Sequence, residues 1–328
     1  MRIAILTVDF PPDFVGGVSA WSSDLAKALS DAGHEVTVFA KHTGLTASHD
    51  AHLPFDVRRV RGRSWARWGA LWMRLALGPR VHRFDWIICS TWPLARLITS
   101  HPRLAVAVHG SEVTRLRDAP AALRALTTHA YAWFPVSAFL ARELKRLGLA
   151  CREVQILPMP LALPSPAPVA RGTHLICVAR PSSRKGIDRA IKIARATGRR
   201  IELIGPTQGG EQIRAYGPLS RADTLLAVAS AAAIVLTPRV DEDGLGAEGL
   251  GLCLIEAAGL GVPSIACRTG GVPEAAGFGL VLDDPDEPDG EAINAWLDGA
   301  DRGRQARQWV LQNHGPELTL ATLMRTMA

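Results

Sequence analysis

Cysteine is scarce in this chain: five in 328 residues, with no two at C-x-x-C spacing. Cys89, Cys151, Cys177, Cys253 and Cys267 are scattered, several of them inside apolar, strand-like runs. That distribution excludes a zinc site and a disulfide framework, and it fits the reduced, buried thiols of a cytoplasmic protein. Long apolar runs are also missing, since no stretch approaches the roughly 20 residues a transmembrane helix needs. The apolar segment at residues 1–8 is too short for a signal peptide and reads as a first β-strand. No recognised nucleic-acid module surrounds the arginines, so the net charge of +6 points to an acidic small ligand or an anionic membrane surface and away from nucleic acid.

What is present is a chain with material for two cores of about 150 residues each, at 48% hydrophobic content and a mean hydropathy of +0.10. Its first unit reads as β-α-β. A strand over 3–8 runs into a loop carrying Gly16 and Gly17. A helix follows with Trp21, Leu25, Ala28, Leu29 and Ala32 on one face; it stops at Gly33 and gives way to a strand over 35–40. The glycine pair therefore falls at the carboxyl end of a parallel strand, where open α/β sheets bind ligands. This unit has no G-x-G-x-x-G, and its second strand ends Phe39-Ala40-Lys41 without the acidic residue that would hold a cofactor ribose. A simple tight turn explains the glycine pair equally well.

Residues 57–84 are strongly basic and carry three interleaved tryptophans. Read as a helix, the segment places Trp65, Trp68, Trp72 and Leu75 on one stripe. Such a helix either docks at an anionic lipid interface or covers the sheet with a solvated arginine face. A strand over 104–108 then ends in His109-Gly110-Ser111-Glu112, which aims a histidine at the same carboxyl-end cleft; a purely structural histidine is the alternative. Ser111 and Glu112 are candidate acceptor contacts. Residues 154–168 hold five prolines, too many for helix or central strand, and read as the linker between domains.

The pattern restarts beyond the linker. A strand over 174–179 leads into a loop with Arg180 and Lys185, two cations whose spacing suits a diphosphate clamped from two sides; a solvated basic loop is the alternative. Tyr216-Gly217-Pro218-Leu219 precedes a helix capped by Ser220, and a strand over 233–237 leads into a glycine-rich loop, a helix over 251–260 and a buried strand over 264–266. Glycines at a helix start leave N–H groups free, and the helix dipole favours an anion there. Glu256 is the exception on that otherwise apolar helix, where a carboxylate is costly unless something donates to it. A ribose diol would donate; so would a nearby arginine. Glu248 precedes the helix at the mouth of the same pocket, unless it is only a solvated loop charge.

Glu248-Gly-Leu-Gly-Leu followed by Glu256-Ala-Ala-Gly-Leu-Gly-Val-Pro-Ser-Ile-Ala resembles the E-x7-E signature of the GT4 family of retaining glycosyltransferases. Leu250 stands where that family more often has an aromatic residue. The resemblance implies the GT-B fold: an α/β architecture of two Rossmann-like, doubly wound parallel-sheet domains facing across a cleft. Residues 1–165 would form the acceptor-side domain, 166–305 the donor-binding domain, and 306–328 tail helices crossing back. It also implies roles. Glu248 would lie beside the transferred sugar, Gly251 and Leu252 would hold the distal phosphate through their amides, and Glu256 would bind the ribose. Arg180 and Lys185 would match the pair that neutralises the leaving diphosphate, His109 would stand beside the reacting carbon, and Gly16 and Gly17 would bring N–H groups to the donor phosphate. The turn over 216–219 would border the base.

The activity so implied is transfer of a sugar from a UDP- or GDP-sugar to an acceptor hydroxyl with retention. No metal or cofactor is expected, the basic site replacing Mg²⁺. Partners would be the nucleotide-sugar donor and a small-molecule, lipid-linked or saccharide acceptor, with peripheral membrane contact through 57–84 and no nucleic acid. Two other readings stay open: a GT-B sugar-nucleotide epimerase, and a non-catalytic nucleotide-binding partner subunit. Retention of His109, Arg180, Lys185, Glu248 and Glu256 together argues against the second.

Overall fold

The structure, a computed structural model, describes the chain apart from residues 13–15, 43–45, 63–64, 97, 99, 111, 150–152, 163–169 and 241–246. It divides into two compact units, Met1–Ala162 with His314–Ala328, and Leu163–Asn313.

The first unit runs β1 (Arg2–Thr7), α1 (Gly17–Asp31), β2 (Glu35–Lys41), α2 (Ala47–Asp50), β3 (Asp56–Val60), α3 (Trp65–Leu77), β4 (Trp86–Cys89), α4 (Trp92–Ala95), β5 (Leu104–Val108), α5 (Glu112–Arg117), α6 (Pro120–His129), β6 (Ala132–Pro135), α7 (Ala138–Arg146) and β7 (Glu153–Val154). Its strands form a seven-stranded parallel sheet in the order β3-β2-β1-β4-β5-β6-β7. β4 and β5 are wholly buried, as continuous apolar runs covered on both faces must be. The order reverses between β1 and β4, so the loops after these strands line a crevice at their carboxyl ends. Beneath it the hydroxyls of Ser22 and Ser90 each donate to Thr7 Oγ1 at 3.1 Å, and Thr7 donates to the Asp9 carbonyl at 3.0 Å. This buried chain of hydroxyls ties α1 and the end of β4 to the end of β1.

The basic segment is not one helix. Residues 56–60 form β3, which pairs with β2 through Thr37↔Asp56 to Lys41↔Val60, and the helix starts only at Trp65. Ala70, Met73 and Leu77 are its buried face, at i, i+3 and i+7, while Leu75 is 61% exposed. Trp72 lies over Gly62, where a Cβ would fall 2.5 Å from Trp72 Cδ1.

The second unit runs β8 (Leu175–Val178), α8 (Ile187–Thr197), β9 (Ile201–Ile204), β10 (Ile213–Ala215), α9 (Arg221–Ala229), β11 (Ala233–Leu236), α10 (Leu252–Gly259), β12 (Ser264–Cys267), α11 (Val272–Ala276), β13 (Leu280–Leu282), α12 (Gly290–Leu297) and α13 (Arg302–Asn313). Its six-stranded sheet, in the order β10-β9-β8-β11-β12-β13, is again all parallel. Leu175, Cys177, Leu203, Val235 and Ile265 build its core with Ala190 and Ile193 of α8. The switch point here lies between β8 and β11.

The final helix, α14 (Pro316–Met327), belongs to the first unit. His314 Nδ1 accepts from the Met159 N–H at 3.2 Å, Gly315 N–H donates to the Met159 carbonyl at 2.9 Å, and Thr319 Oγ1 donates to the Pro158 carbonyl at 2.9 Å. At the far end Trp86 Nε1 donates to the Met327 carbonyl at 3.3 Å. Among the described residues no helix is long and apolar enough to cross a membrane.

Candidate active site

In the second unit the sheet topology brings together groups that lie far apart in the chain. β8 and β11 are neighbours, so the loop after β8, with Arg180 and Lys185, meets the loop after β11, with Glu248. Lys185 Nζ donates to Glu248 Oε2. Both side chains are partly buried, at 29% and 19% exposure. Arg180 is exposed at the end of β8 and makes no bond to either of them among the described residues.

Two glycines make this junction possible. Gly186 has φ 61°, and a Cβ on it would stand 1.8 Å from the Thr237 carbonyl oxygen, so only glycine lets the Lys185 loop pass so close to the end of β11. Gly251, with φ 97°, would set a Cβ 2.8 Å from Leu236 Cδ2 and is the residue from which α10 departs. No side chain caps α10. Its first turn therefore presents N–H groups and the positive end of the helix dipole beside Lys185 and Glu248. The main chain of Glu248 is itself pinned, its carbonyl accepting from Gly271 N–H at 2.9 Å.

Glu256 sits on α10 as expected, and its carboxylate has a donor: Arg221 Nε, at 3.0 Å. Arg221 is the first residue of α9, directly after the turn over 216–219 and Ser220, whose Oγ accepts from Asp223 N–H at 3.1 Å. This is the nearby arginine expected as the alternative to a diol; 35 residues separate the two, and only the packing of α9 on α10 identifies which arginine it is.

The chain also contains two Asp-x-Asp triplets and one G-x-G-x-x-G, at Gly244 to Gly249. Asp241–Asp243 lies outside the described residues, as does the start of that glycine motif. In the second triplet, Asp286 is taken up by Arg189 Nη2 at 2.5 Å, Arg239 Nη2 at 3.1 Å and Lys192 Nζ at 3.6 Å, and Asp284 Oδ1 accepts from the Asp286 N–H at 2.9 Å. The hydrogen bond from Arg189 is the main reason the Asp286 carboxyl is held down at about 2. Asp286 is thus paired with two arginines and a lysine, and among the described residues no group of three or more His, Cys, Asp or Glu side chains could hold a metal.

In the first unit Gly16 and Gly17 open α1 and are exposed. A Cβ on Gly16 would meet nothing within 4 Å, so the unit's own packing does not demand glycine there. His109 leaves the end of β5 and stands edge-on to Trp21 of α1, with ring centroids 4.8 Å apart and an interplanar angle of 75°. Among the described residues its buried Nε2 has no hydrogen-bond partner, nor has Trp21 Nε1. Burial pulls the imidazole down to about 4, so it is neutral at ordinary pH. Glu112, a candidate acceptor contact from sequence, is turned the other way: its Oε1 accepts from the main-chain N–H of His109. Ser111 lies outside the described residues.

Two doubly wound parallel sheets in one chain, with the charged loops gathered at one switch point, define an α/β protein of the GT-B class. Residues 15–162 match the family model Glycosyltransferase Family 4. A GDP-mannose-dependent alpha-(1-6)-phosphatidylinositol monomannoside mannosyltransferase of Mycobacterium tuberculosis is 24% identical, over 94% of this chain and 93% of its own length. Among solved structures, Anabaena Alr3699/HepE in complex with UDP and glucose superposes with a TM-score of 0.77 at 18% identity, over 100% of this chain and 99% of that one. AviGT4, a glycosyltransferase involved in avilamycin A biosynthesis, gives 0.72 at 17% identity, over 99% and 96%. The chain is thus similar to GT-B glycosyltransferases over nearly its whole length, and its first unit is similar to the GT4 family.

Proposed function

We propose that this enzyme transfers a sugar from a UDP- or GDP-sugar to an acceptor hydroxyl, with retention and without a divalent metal. The observation that carries the reading is the meeting of Lys185, Glu248 and the uncapped start of α10 at the switch point of the second unit. An ammonium and a set of helix N–H groups stabilise a leaving diphosphate electrostatically, as a bound cation would. The acceptor oxygen forms the new bond to the anomeric carbon as the bond from that carbon to the phosphate oxygen breaks, and the acceptor proton passes to the departing phosphate. Glu248 needs no covalent role; it orients the sugar and supports its developing positive charge. Arg180 assists from the exposed side of the loop, Gly251 and Leu252 offer amides, and Glu256 takes the ribose hydroxyls. His109, Gly16 and Gly17 are the candidate donor contacts of the first unit. The named relatives support a nucleoside diphosphate donor, one being described with GDP-mannose and another bound to UDP.

The test is a thermal-shift series with UDP, GDP, ADP and dTDP, first in EDTA and then in Mg²⁺, followed by turnover with the sugar form of whichever base binds. A ligand at about a hundred times its Kd raises stability by roughly 2.7 kcal/mol. A shift in EDTA followed by product formation supports the reading. A shift only with Mg²⁺ removes metal independence, and sugar interconversion without acceptor replaces transfer by epimerisation.

Leu75, 61% exposed beside the exposed Arg74 on α3, favours one addition, that this helix touches anionic lipid. Co-sedimentation with anionic vesicles at low salt should carry the protein down, and L75E should release it. A protein left in the supernatant removes the membrane contact.

A further inference from the structure

Glu112 stands three residues beyond His109 and has no place in the reaction outlined above. Its surroundings are unusual for an acidic side chain. Glu112 is partly buried at the start of α5, and its Oε1 accepts from the main-chain N–H of His109. The N–H groups of Gly110 and of Glu112 itself, and the charge of Arg115, also act to favour the ionised form, while burial pushes the carboxyl up and outweighs them. The Glu112 main chain is fastened independently, its carbonyl accepting from Trp92 Nε1 at 2.7 Å, and Val113 N–H closes the turn onto the Gly110 carbonyl at 3.1 Å. A carboxylate kept in such a place at the cost of desolvation is accounted for only by what its bonds hold.

What they hold is the end of β5. The His109 ring meets Trp21 edge-on, and the main-chain N–H of His109 is bound by Glu112. Among the described residues His109 Nε2 is buried and has no hydrogen-bond partner. A buried polar atom without a partner is expensive, and it persists where the surrounding structure fixes it for a ligand. We infer that Glu112 is a positioning residue, which anchors the main chain at His109 and thereby fixes the imidazole that the proposed function assigns to the sugar. The inference rests on the proposed role of His109 and adds a residue to it; Glu112 itself touches no substrate.

The test uses the full chain labelled with ¹³C at histidine Cε1, with the His109 ring signal identified by its absence in H109Q. E112A removes the acceptor, and E112Q keeps an acceptor oxygen while losing the charge. The ring signal should shift and broaden in E112A and stay in place in E112Q. With UDP-glucose or GDP-mannose, whichever the wild type turns over, E112A should lower kcat by about tenfold or more, as small misplacements of an active-site group do, with donor KM changed by less than about threefold. E112Q should stay within about threefold of wild type. Because Glu112 acts through His109, adding E112A to H109A should cost less than about twofold more. If E112A fails to fold, E112D, whose shorter arm draws the carboxylate away from the His109 N–H, takes its place. A wild-type ring signal and wild-type kcat in E112A, or a full additional loss on top of H109A, overturns the inference. A wild type that turns over neither donor sinks the transfer reading alone, and the ring signal then decides on Glu112.

Discussion

Lys185 and Glu248, 63 residues apart in the chain, are bonded to one another. The cation proposed for the diphosphate and the carboxylate proposed for the sugar thus neutralise each other before any donor arrives, and a donor must part them. Two opposite effects on binding and turnover follow from this one contact.

Substituting Glu248 by Gln frees Lys185 for the phosphates while removing the group that supports the sugar. Nucleoside diphosphate should bind about two- to fivefold tighter, the scale of a partly exposed ion pair, and kcat should fall by about a hundredfold. Lys185→Ala should lower both. Calorimetric Kd values for UDP or GDP beside single-turnover rates check this, and weaker nucleotide binding in E248Q counts against a competing pair.

Glu256 accepts from Arg221, and in the proposed reading its carboxylate also accepts from the ribose diol. In E256Q the preference for UDP over 2′-deoxy-UDP, or for the corresponding guanine pair, should drop by about tenfold, since the site then loses the charge that rewards the missing hydroxyl. Arg221→Ala should weaken both nucleotides together by a smaller factor. Equal preference in E256Q and wild type would remove the ribose role.

Gly16 and Gly186 respond to alanine in opposite ways. At Gly186 the new Cβ would stand 1.8 Å from the Thr237 carbonyl at φ 61°, so G186A should lose at least about 2 kcal/mol and several degrees in Tm. At Gly16 nothing lies within 4 Å. G16A should therefore keep its Tm within about 1 °C and raise the donor KM. A scanning-calorimetry trace of each, with donor kinetics for G16A, separates the glycine that the fold demands from the one a ligand would.

The Asp286 cluster gives a stability prediction with a defined pH sense. Its folded-state value, about 2, lies below the ordinary 3.8. Ionised Asp286 therefore contributes stability that is present above about 3.8 and is lost as pH falls from there through about 2. The urea midpoint of D286N should lie below that of wild type at neutral pH, and the gap should close as the pH is lowered through that window. A gap that stays constant with pH assigns the effect to packing and not to charge.

Much of this architecture is legible in the residues. Alternating apolar runs and amphipathic stretches at residues 3–40 and 174–204 announce parallel β-α units, because buried parallel strands must be apolar throughout and their helices must bury one face. Ser137 and Ser220 cap the helices they precede, as short hydroxyl side chains do. The E-x7-E spacing places Glu248 before α10 and Glu256 on it, since local distance along a loop and helix is set by the backbone. Strands of two or three residues, such as β7, β10 and β13, are too short to show a period. β3 and α3 run together in sequence because a continuous series of arginines and tryptophans blurs the change from one period to the other.

Partnership is what only the tertiary structure decided. That Glu248 meets Lys185, Glu256 meets Arg221 and His109 meets Trp21 depends on which strands and helices lie side by side, β8 by β11, α9 by α10 and β5 near α1. Strand order is a property of the packed sheet, and any parallel pairing would satisfy the same apolar runs. Glu112 shows the difference most plainly. Its identity and position are given by the chain, but whether its carboxylate faces an acceptor or folds back onto the His109 N–H is settled only when the end of β5, α4 and α5 come together.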